Sequence, residues 1–91
     1  MRIADIKQAV GIDVVLEHYG AEVPWHGSGW VSMRCPFHDD NVKSASVNLI
    51  ENVFACMGCD VRGDIVDLVQ DQESCDTTTA KQWLEENLLD T

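Results

Sequence analysis

The chain has 91 residues, enough for one domain, but a hydrophobic core of that size supplies only modest stability. Hydrophobic residues make up 45% of it and no segment is repetitive, which excludes a disordered or low-complexity protein. The formal net charge of −10 is unusual for a nucleic-acid-binding protein, because such proteins usually carry a basic surface.

The negative charge is concentrated in the last third of the chain. Residues 64–91 contain eight acidic residues and one basic residue, whereas residues 31–63 contain four acidic and three basic residues. An acidic segment of this kind keeps a protein in solution or binds a basic partner. The central part, which carries three of the four cysteines, is nearly neutral, so the net charge does not exclude nucleic-acid binding there.

The N-terminus does not resemble a secretory signal, because Asp5 comes before any apolar run. No stretch approaches the roughly 20 apolar residues that span a bilayer. We therefore expect a cytoplasmic protein with no membrane contact. In that reducing compartment four cysteines indicate metal binding or chemistry more often than disulfides.

Two short helices are predicted at the start of the chain. Ile6 and Val10 recur at helical spacing before Gly11, and a second apolar stripe of i, i+3, i+4, i+7 spacing ends at Gly20. A loop follows over 24–29.

The apolar spacing then changes to every second residue, which predicts strands. Met33 and Cys35 alternate with Ser32 and Arg34. A second alternating run covers 44–49, and a turn near 51–52 leads into a third at 53–55, so we expect an antiparallel hairpin with one buried face.

Helices return after the strands. Asp64 is a plausible N-cap for one helix, and a cap at Asp76 or Thr77 begins the last. The predicted fold is α+β, a small antiparallel sheet flanked by N- and C-terminal helices. We expect a single domain over 1–91, with a core at 30–70 and helical flanks at 2–20 and 77–89.

Two pairs of metal-ligand residues lie in the predicted sheet region. Cys35 and His38 are separated by two residues, as are Cys56 and Cys59, and seventeen residues lie between the pairs. Two such knuckles can close a tetrahedron of thiolate and imidazole ligands, which suits one structural zinc ion and leaves no open position for catalysis. Cys75 has no partner at ligand spacing, and we expect a small buried or half-buried residue.

The motifs Cys35-Pro36-Phe37-His38, Cys56-Met57-Gly58-Cys59 and Gly63-Asp64-Ile65-Val66-Asp67 resemble the N-terminal zinc-binding domain (CHC-type zinc finger) of DnaG-type bacterial and phage DNA primases. The similarity covers roughly residues 3–88. It implies a zinc ribbon whose sheet helps to recognise a short single-stranded DNA template for a separate catalytic core. The chain would then be a freestanding accessory subunit without catalytic residues, most plausibly of a phage split primase acting in the host cytoplasm.

The candidate template surface is the solvent-facing side of the sheet and its surroundings. Its polar side chains can hydrogen-bond bases, its cations neutralise phosphates, and its tryptophan can stack. The residues are Trp30, Ser32, Arg34, Lys43, Ser44, Ser46, Asn48 and Arg62. The family commonly has a proline and an aromatic residue where this chain has Lys43 and Ala45, which predicts weak binding to DNA alone.

Two other functions fit the sequence. The chain could be an acidic protein-interaction module that binds or modulates host replication proteins without touching DNA, which its net charge favours. The third candidate is a zinc-dependent enzyme. The sequence argues against it, because it offers neither an open coordination position on the metal nor a nearby general base.

Overall fold

The computed structural model describes residues 3–24, 29–37 and 43–88. Helices at both ends enclose a central sheet, which confirms the predicted helix–sheet–helix order and the α+β class. The elements are α1 (Ile3–Ala9), α2 (Ile12–His18), β1 (Trp30–Met33), β2 (Ala45–Asn48), β3 (Val53–Cys56), β4 (Arg62–Gly63), α3 (Ile65–Glu73) and α4 (Thr77–Asn87). The ends of the predicted domain, residues 1–2 and 89–91, lie outside the described residues.

The four strands form one antiparallel sheet in chain order, so β1 and β4 lie at its edges. Residues directly opposite one another point to the same face. Met33, Ala45 and Cys56 therefore share the inner face, and so do Val47 and Phe54 in the next row. The short strand β4 was not predicted, because two residues are too few to show alternation.

The inner face of the sheet packs against all four helices to form one core. Burying each large apolar side chain contributes about 1.5–3 kcal/mol. The fully buried large side chains are Ile6, Val10, Ile12, Val15, Leu16, Val47, Phe54, Ile65, Leu68, Val69 and Leu84. The core therefore draws on both ends of the chain, and no described helix is long and apolar enough to cross a membrane.

The corner between α1 and α2 is tied to the β2–β3 turn by Asn52. The Ile12 N–H donates to Asn52 Oδ1 over 2.6 Å, and Asn52 Nδ2 donates to the Lys7 carbonyl over 3.3 Å. The residue before α2, Gly11, has no side chain to cap the helix, so Asn52 supplies an acceptor from forty residues away. Asn52 adopts a φ of 60°, a left-handed conformation that asparagine tolerates.

The start of α3 is held by a capping box. Asp64 Oδ1 accepts from the N–H groups of Val66 and Asp67, and Asp67 Oδ2 accepts from the Asp64 N–H. Lys7 Nζ lies 2.6 Å from Asp64 Oδ2, which joins α1 to this cap. The predicted N-cap at Asp64 is confirmed, and so is the cap before α4, where Asp76 Oδ1 accepts from the Thr79 N–H over 2.8 Å.

Gly63 is required by the same cap. Its φ of +128° is a conformation that residues with side chains rarely adopt. A Cβ atom at this position would also collide with the Asp67 carboxylate that closes the box. The Gly-Asp-x-x-Asp part of the sequence motif is therefore explained by the geometry of a helix start.

Candidate metal centre and outward sheet face

Three cysteines from two segments converge at one end of the sheet. Cys35 follows β1, Cys56 ends β3, and Cys59 lies in the turn beyond it. Their Sγ atoms all lie within 4.8 Å of one another. Cys35 and Cys56 are buried and Cys59 is half-buried, so the cluster lies at the margin of the core.

The spacing of the sulfurs fits a tetrahedral zinc ion. With Zn–S bonds of about 2.3 Å, two sulfurs of such a site lie about 3.8 Å apart. Cys35 Sγ and Cys59 Sγ are 3.6 Å apart, close to that value and far beyond the roughly 2.05 Å of a disulfide. All four cysteines lie within the described residues and none is in a disulfide.

The predicted fourth ligand, His38, lies outside the described residues, so its role stays a prediction. The residue before it is placed: the Phe37 N–H donates to Cys35 Sγ over 3.4 Å. A backbone amide turned towards sulfur stabilises a bound thiolate. The first knuckle therefore has the local geometry that metal binding needs, up to the residue that precedes the histidine.

The thiols of this cluster must lose protons to bind a metal. Burial raises the pKa of Cys35 to about 12, against the lowering effect of the Phe37 amide, and hydrogen bonding to Cys56 and Cys59 raises it further. Ser44 Oγ lies 3.6 Å from Cys56 Sγ, within hydrogen-bonding distance of sulfur. Ser44 is thus a neighbour of the metal centre and is half-buried, and its predicted contact with the template stays a prediction.

A chain of aromatic contacts joins the first knuckle to the helices. Phe37 packs edge-on against Phe54 of β3 at 5.7 Å between ring centroids and against Tyr19 at 5.4 Å. Tyr19 stacks on Trp83 of α4 at 6.0 Å, and His18 lies edge-on to both Tyr19 and Trp83. No sequence pattern predicts this cluster, because its members lie in four separate segments.

The Tyr19 hydroxyl continues this chain to α3, where it donates to Glu73 Oε2 over 2.9 Å. Burial and the Glu73 carboxylate together raise the pKa of Tyr19. Cys75 lies nearby, half-buried against the core as predicted, and apart from the group of three sulfurs.

The outward face of the sheet carries a straight row of small and polar side chains. Ser32, Ser46, Ala55 and Arg62 are directly opposite one another across all four strands. With strands about 4.8 Å apart, the row spans about 14 Å. Trp30 shares this face two residues before Ser32 and is 56% exposed. Four of the predicted template contacts, Trp30, Ser32, Ser46 and Arg62, therefore lie on one surface.

Asn48 does not belong to that solvent-facing set. It is only 6% exposed, and its Oδ1 accepts from the N–H groups of Ile50 (3.1 Å) and Glu51 (2.9 Å). The prediction that it faces solvent is wrong, because the side chain folds back to satisfy the backbone of the turn.

The remaining predicted cations, Arg34 and Lys43, line a groove of about 680 Å³ beside β1. Within the described residues neither forms an ion pair. At the opposite edge of the sheet Arg62 borders a smaller hollow with three acidic residues, Asp60, Asp67 and Asp71. The two edges of the sheet therefore differ in charge.

A four-stranded antiparallel sheet with three converging cysteines and flanking helices defines a small zinc-ribbon domain. The chain belongs to the CHC2 zinc finger family of DnaG-type primases, whose model matches residues 1–89. The metal of this centre is therefore zinc, and the domain is a zinc-binding domain of the DnaG-type primase family.

Relatives and a solved structure agree with this assignment. The DNA primase of Mycoplasma pneumoniae is 35% identical over 75 residues, 82% of this chain and 12% of that protein. The Gene 58 protein of Mycobacterium phage D29 is 34% identical over 67 residues, 71% of this chain and 52% of that protein. The crystal structure of the Aquifex aeolicus primase, described as its zinc-binding and RNA polymerase domains, superposes with a TM-score of 0.68 at 28% identity, over 92% of this chain and 20% of that one.

Proposed function

We propose that this chain is the template-recognition subunit of a split DNA primase, binding single-stranded DNA for a catalytic core on another polypeptide. The observation that carries the proposal is the outward row of Ser32, Ser46 and Arg62 beside the exposed Trp30, next to the zinc centre. Hydroxyl groups can hydrogen-bond unstacked bases, and an exposed indole offers a stacking surface.

In this proposal zinc has a structural role. Cys35, Cys56 and Cys59 bind it together with His38, which completes four protein ligands and leaves no position for a reacting water. The chain itself would then be non-catalytic, and primer synthesis would need the partner core. Weak binding to DNA alone is sufficient for this role, because a bound partner raises the effective concentration of the template surface.

The separate-subunit form of the proposal is supported by the phage relative. The matched region makes up 52% of the D29 Gene 58 protein but only 12% of the Mycoplasma primase. A domain of this family can therefore account for half of a phage protein. This coverage supports the proposal that the chain belongs to a phage replication system.

The test is binding of the zinc-loaded chain to labelled single-stranded DNA of mixed sequence. Trp30→Ala should weaken binding by about 5- to 150-fold if one base stacks on the indole. Each phosphate-binding cation that is removed should reduce the salt slope by about 0.7, so Arg34→Ala and Lys43→Ala should each flatten the salt dependence. Lys81→Ala on α4 removes the same charge elsewhere and should leave the slope unchanged. Binding that ignores salt and all three surface substitutions would contradict direct template recognition.

A second function, an acidic protein-interaction module, is favoured by the charge of the C-terminal helices. Asp67, Asp71 and Glu86 are exposed on α3 and α4, and residues 64–91 carry eight acids against one base. Capture of a purified primase core or helicase, followed by a primer-synthesis assay, separates the two functions. A complex that forms without DNA and stimulates synthesis equally with Trp30→Ala would favour the interaction module.

A further inference from the structure

The 680 Å³ groove that contains Arg34 and Lys43 runs along the outer edge of β1. Ser32 and Arg34 belong to the outward face of the sheet, whereas Met33 and Cys35 belong to the inner face, and all four line the groove. A groove bordered by both faces of one strand lies at the edge of that strand. Its other wall is segment 20–24, which follows α2 and has no regular secondary structure.

This groove has many backbone groups available for hydrogen bonding. Within the described residues β1 pairs with β2 only, so alternate residues of β1 direct their N–H and C=O groups towards the groove. Across the groove, no backbone–backbone hydrogen bond among the described residues involves Glu22 or Val23. Alternate residues of β1 and the residues Glu22 and Val23 therefore border the same groove with backbone groups that form no backbone–backbone hydrogen bond among the described residues.

The charges of the groove favour an anion. Arg34 and Lys43 supply two positive charges, and Glu22 is the one acidic residue among the described residues that line the groove. Both cations are exposed and neither forms an ion pair within the described part of the chain. Two of the six basic residues of the chain therefore line this groove, although the net charge of the chain is −10.

We propose that this groove is a nucleotide subsite, which holds one phosphate of the single-stranded template between Arg34 and Lys43 and hydrogen-bonds the base edge with the backbone of Glu22 and Val23. The inference rests on the proposed function and adds a wall of the site, segment 20–24, that lies outside the sheet. Its volume falls in the range of about 300–1,000 Å³ typical of sites for small organic ligands, which accommodates a single nucleotide.

Glu22 has a specific part in this subsite. Its exposed carboxylate repels the bound phosphate and weakens binding, so the native groove is a low-affinity site. Glu22→Lys changes the formal charge of the three ionic groups from +1 to +3 without touching the core or the zinc ligands. This substitution should therefore strengthen DNA binding. A variant that failed to fold would bind DNA more weakly, so the two outcomes cannot be confused.

The experiment compares Glu22→Lys with Glu86→Lys in the zinc-loaded chain. Glu86 is exposed on α4 and lines neither the groove nor the hollow beside Arg62, so its substitution controls for net charge. Binding of labelled single-stranded DNA is measured over a range of salt. We expect Glu22→Lys to tighten binding by about three- to fivefold more than Glu86→Lys, and that advantage to fall with increasing salt.

Amide chemical shifts provide the second readout. On addition of single-stranded DNA the amides of Ala21, Glu22 and Val23 should shift together with those of β1. The Lys43→Ala variant should lose the shifts at 21–23 while Trp30→Ala retains them, because the phosphate anchors the nucleotide in the groove and the indole does not.

Two results would overturn the inference, and they can be told apart. If DNA binds and Trp30→Ala weakens it, but Glu22→Lys equals Glu86→Lys and the amides of 21–23 do not move, the subsite is wrong and template recognition by the sheet stands. If no variant binds DNA at low salt, the proposed function fails and the subsite fails with it.

Discussion

The capping box of α3 allows a quantitative test of how the fold holds the second knuckle to the helices. Asp64→Ala removes the oxygen that accepts from Val66 and Asp67 and also the partner of Lys7. Loss of an N-cap costs about 1 kcal/mol. The side chains of Lys7 and Asp64 are 40% and 26% exposed, so the ion pair adds only about 0.5–1 kcal/mol.

The total for Asp64→Ala is therefore about 1.5–2 kcal/mol, which corresponds to a fall in Tm of about 6–16 °C for a domain of this size. Asp64→Asn is the matched control, because asparagine caps helices as well as aspartate but carries no charge. It should cost only the ion-pair share, and that cost should disappear in a Lys7→Ala background. Calorimetry of the zinc-loaded variants measures all of these.

The pH dependence follows from the same contacts. Partial burial acts to raise the pKa of Asp64, but Lys7 and the backbone N–H of Asp67 outweigh it, and the folded pKa lies below the ordinary value of 3.8. The stabilisation is therefore complete above pH 3.8 and is lost as the pH falls through the folded value. From about pH 6 to about pH 8 the difference between wild type and Asp64→Asn should be constant. Equal destabilisation by Asn and Ala would refute the assignment of Asp64 as the cap.

Further predictions concern the metal and two turns. Chelation of zinc or Cys59→Ser should unfold most of the domain. Zinc binding supplies about 10–16 kcal/mol in small zinc peptides, whereas the free energy of unfolding of a whole domain is only about 5–15 kcal/mol. An unchanged circular dichroism spectrum would contradict this prediction. Burial raises the pKa of Cys35 to about 12, so this thiol must release a proton on zinc binding near neutral pH, and apparent zinc affinity should fall as the pH falls. Calorimetry in buffers of different ionisation enthalpy counts the protons, and a pH-independent affinity would be the opposing result. Asn52→Ala should reduce the free energy of unfolding by about 1–3 kcal/mol, because the Ile12 N–H loses its acceptor. Asn52→Asp keeps an acceptor and should reduce it less. Equal losses for the two variants in chemical denaturation would argue against this contact. Gly63→Ala should destabilise the domain because of its positive φ and the collision with Asp67, and the loss should be smaller in an Asp67→Ala background if the collision contributes.

Much of this fold could be predicted from local pattern. Helical spacing around Val15 and Leu16, the cap at Asp64 and the knuckle spacing of Cys56 and Cys59 each depend on residues a few positions apart. Each of these short-range patterns has a local physical cause. Helical spacing buries one apolar face, the cap accepts hydrogen bonds from helix N–H groups, and two ligands on one turn can reach the same metal ion. These features were confirmed for the described residues.

What the sequence did not reveal depends on contacts between distant segments or on competition at a strand end. The alternation of apolar and polar residues predicts that Asn48 faces solvent. In the structure its side-chain Oδ1 instead accepts hydrogen bonds from the N–H groups of Ile50 and Glu51. Asn52 appeared as an ordinary turn residue, and only the packed structure brings it to Ile12. The groove wall at 20–24 carries no motif, and only the folded chain brings it beside Arg34 and Lys43.

The aromatic chain from Phe54 through Phe37 and Tyr19 to Trp83 has a consequence for cooperativity. Opening the first knuckle would remove Phe37 from two rings at once and leave Tyr19 without one of its three aromatic neighbours. The amides of α4 and of the β2–β3 hairpin should therefore exchange with deuterium as one unit, at a rate set by release of the metal. Trp83, stacked at the far end of that unit, would report the event by its fluorescence although it touches no ligand.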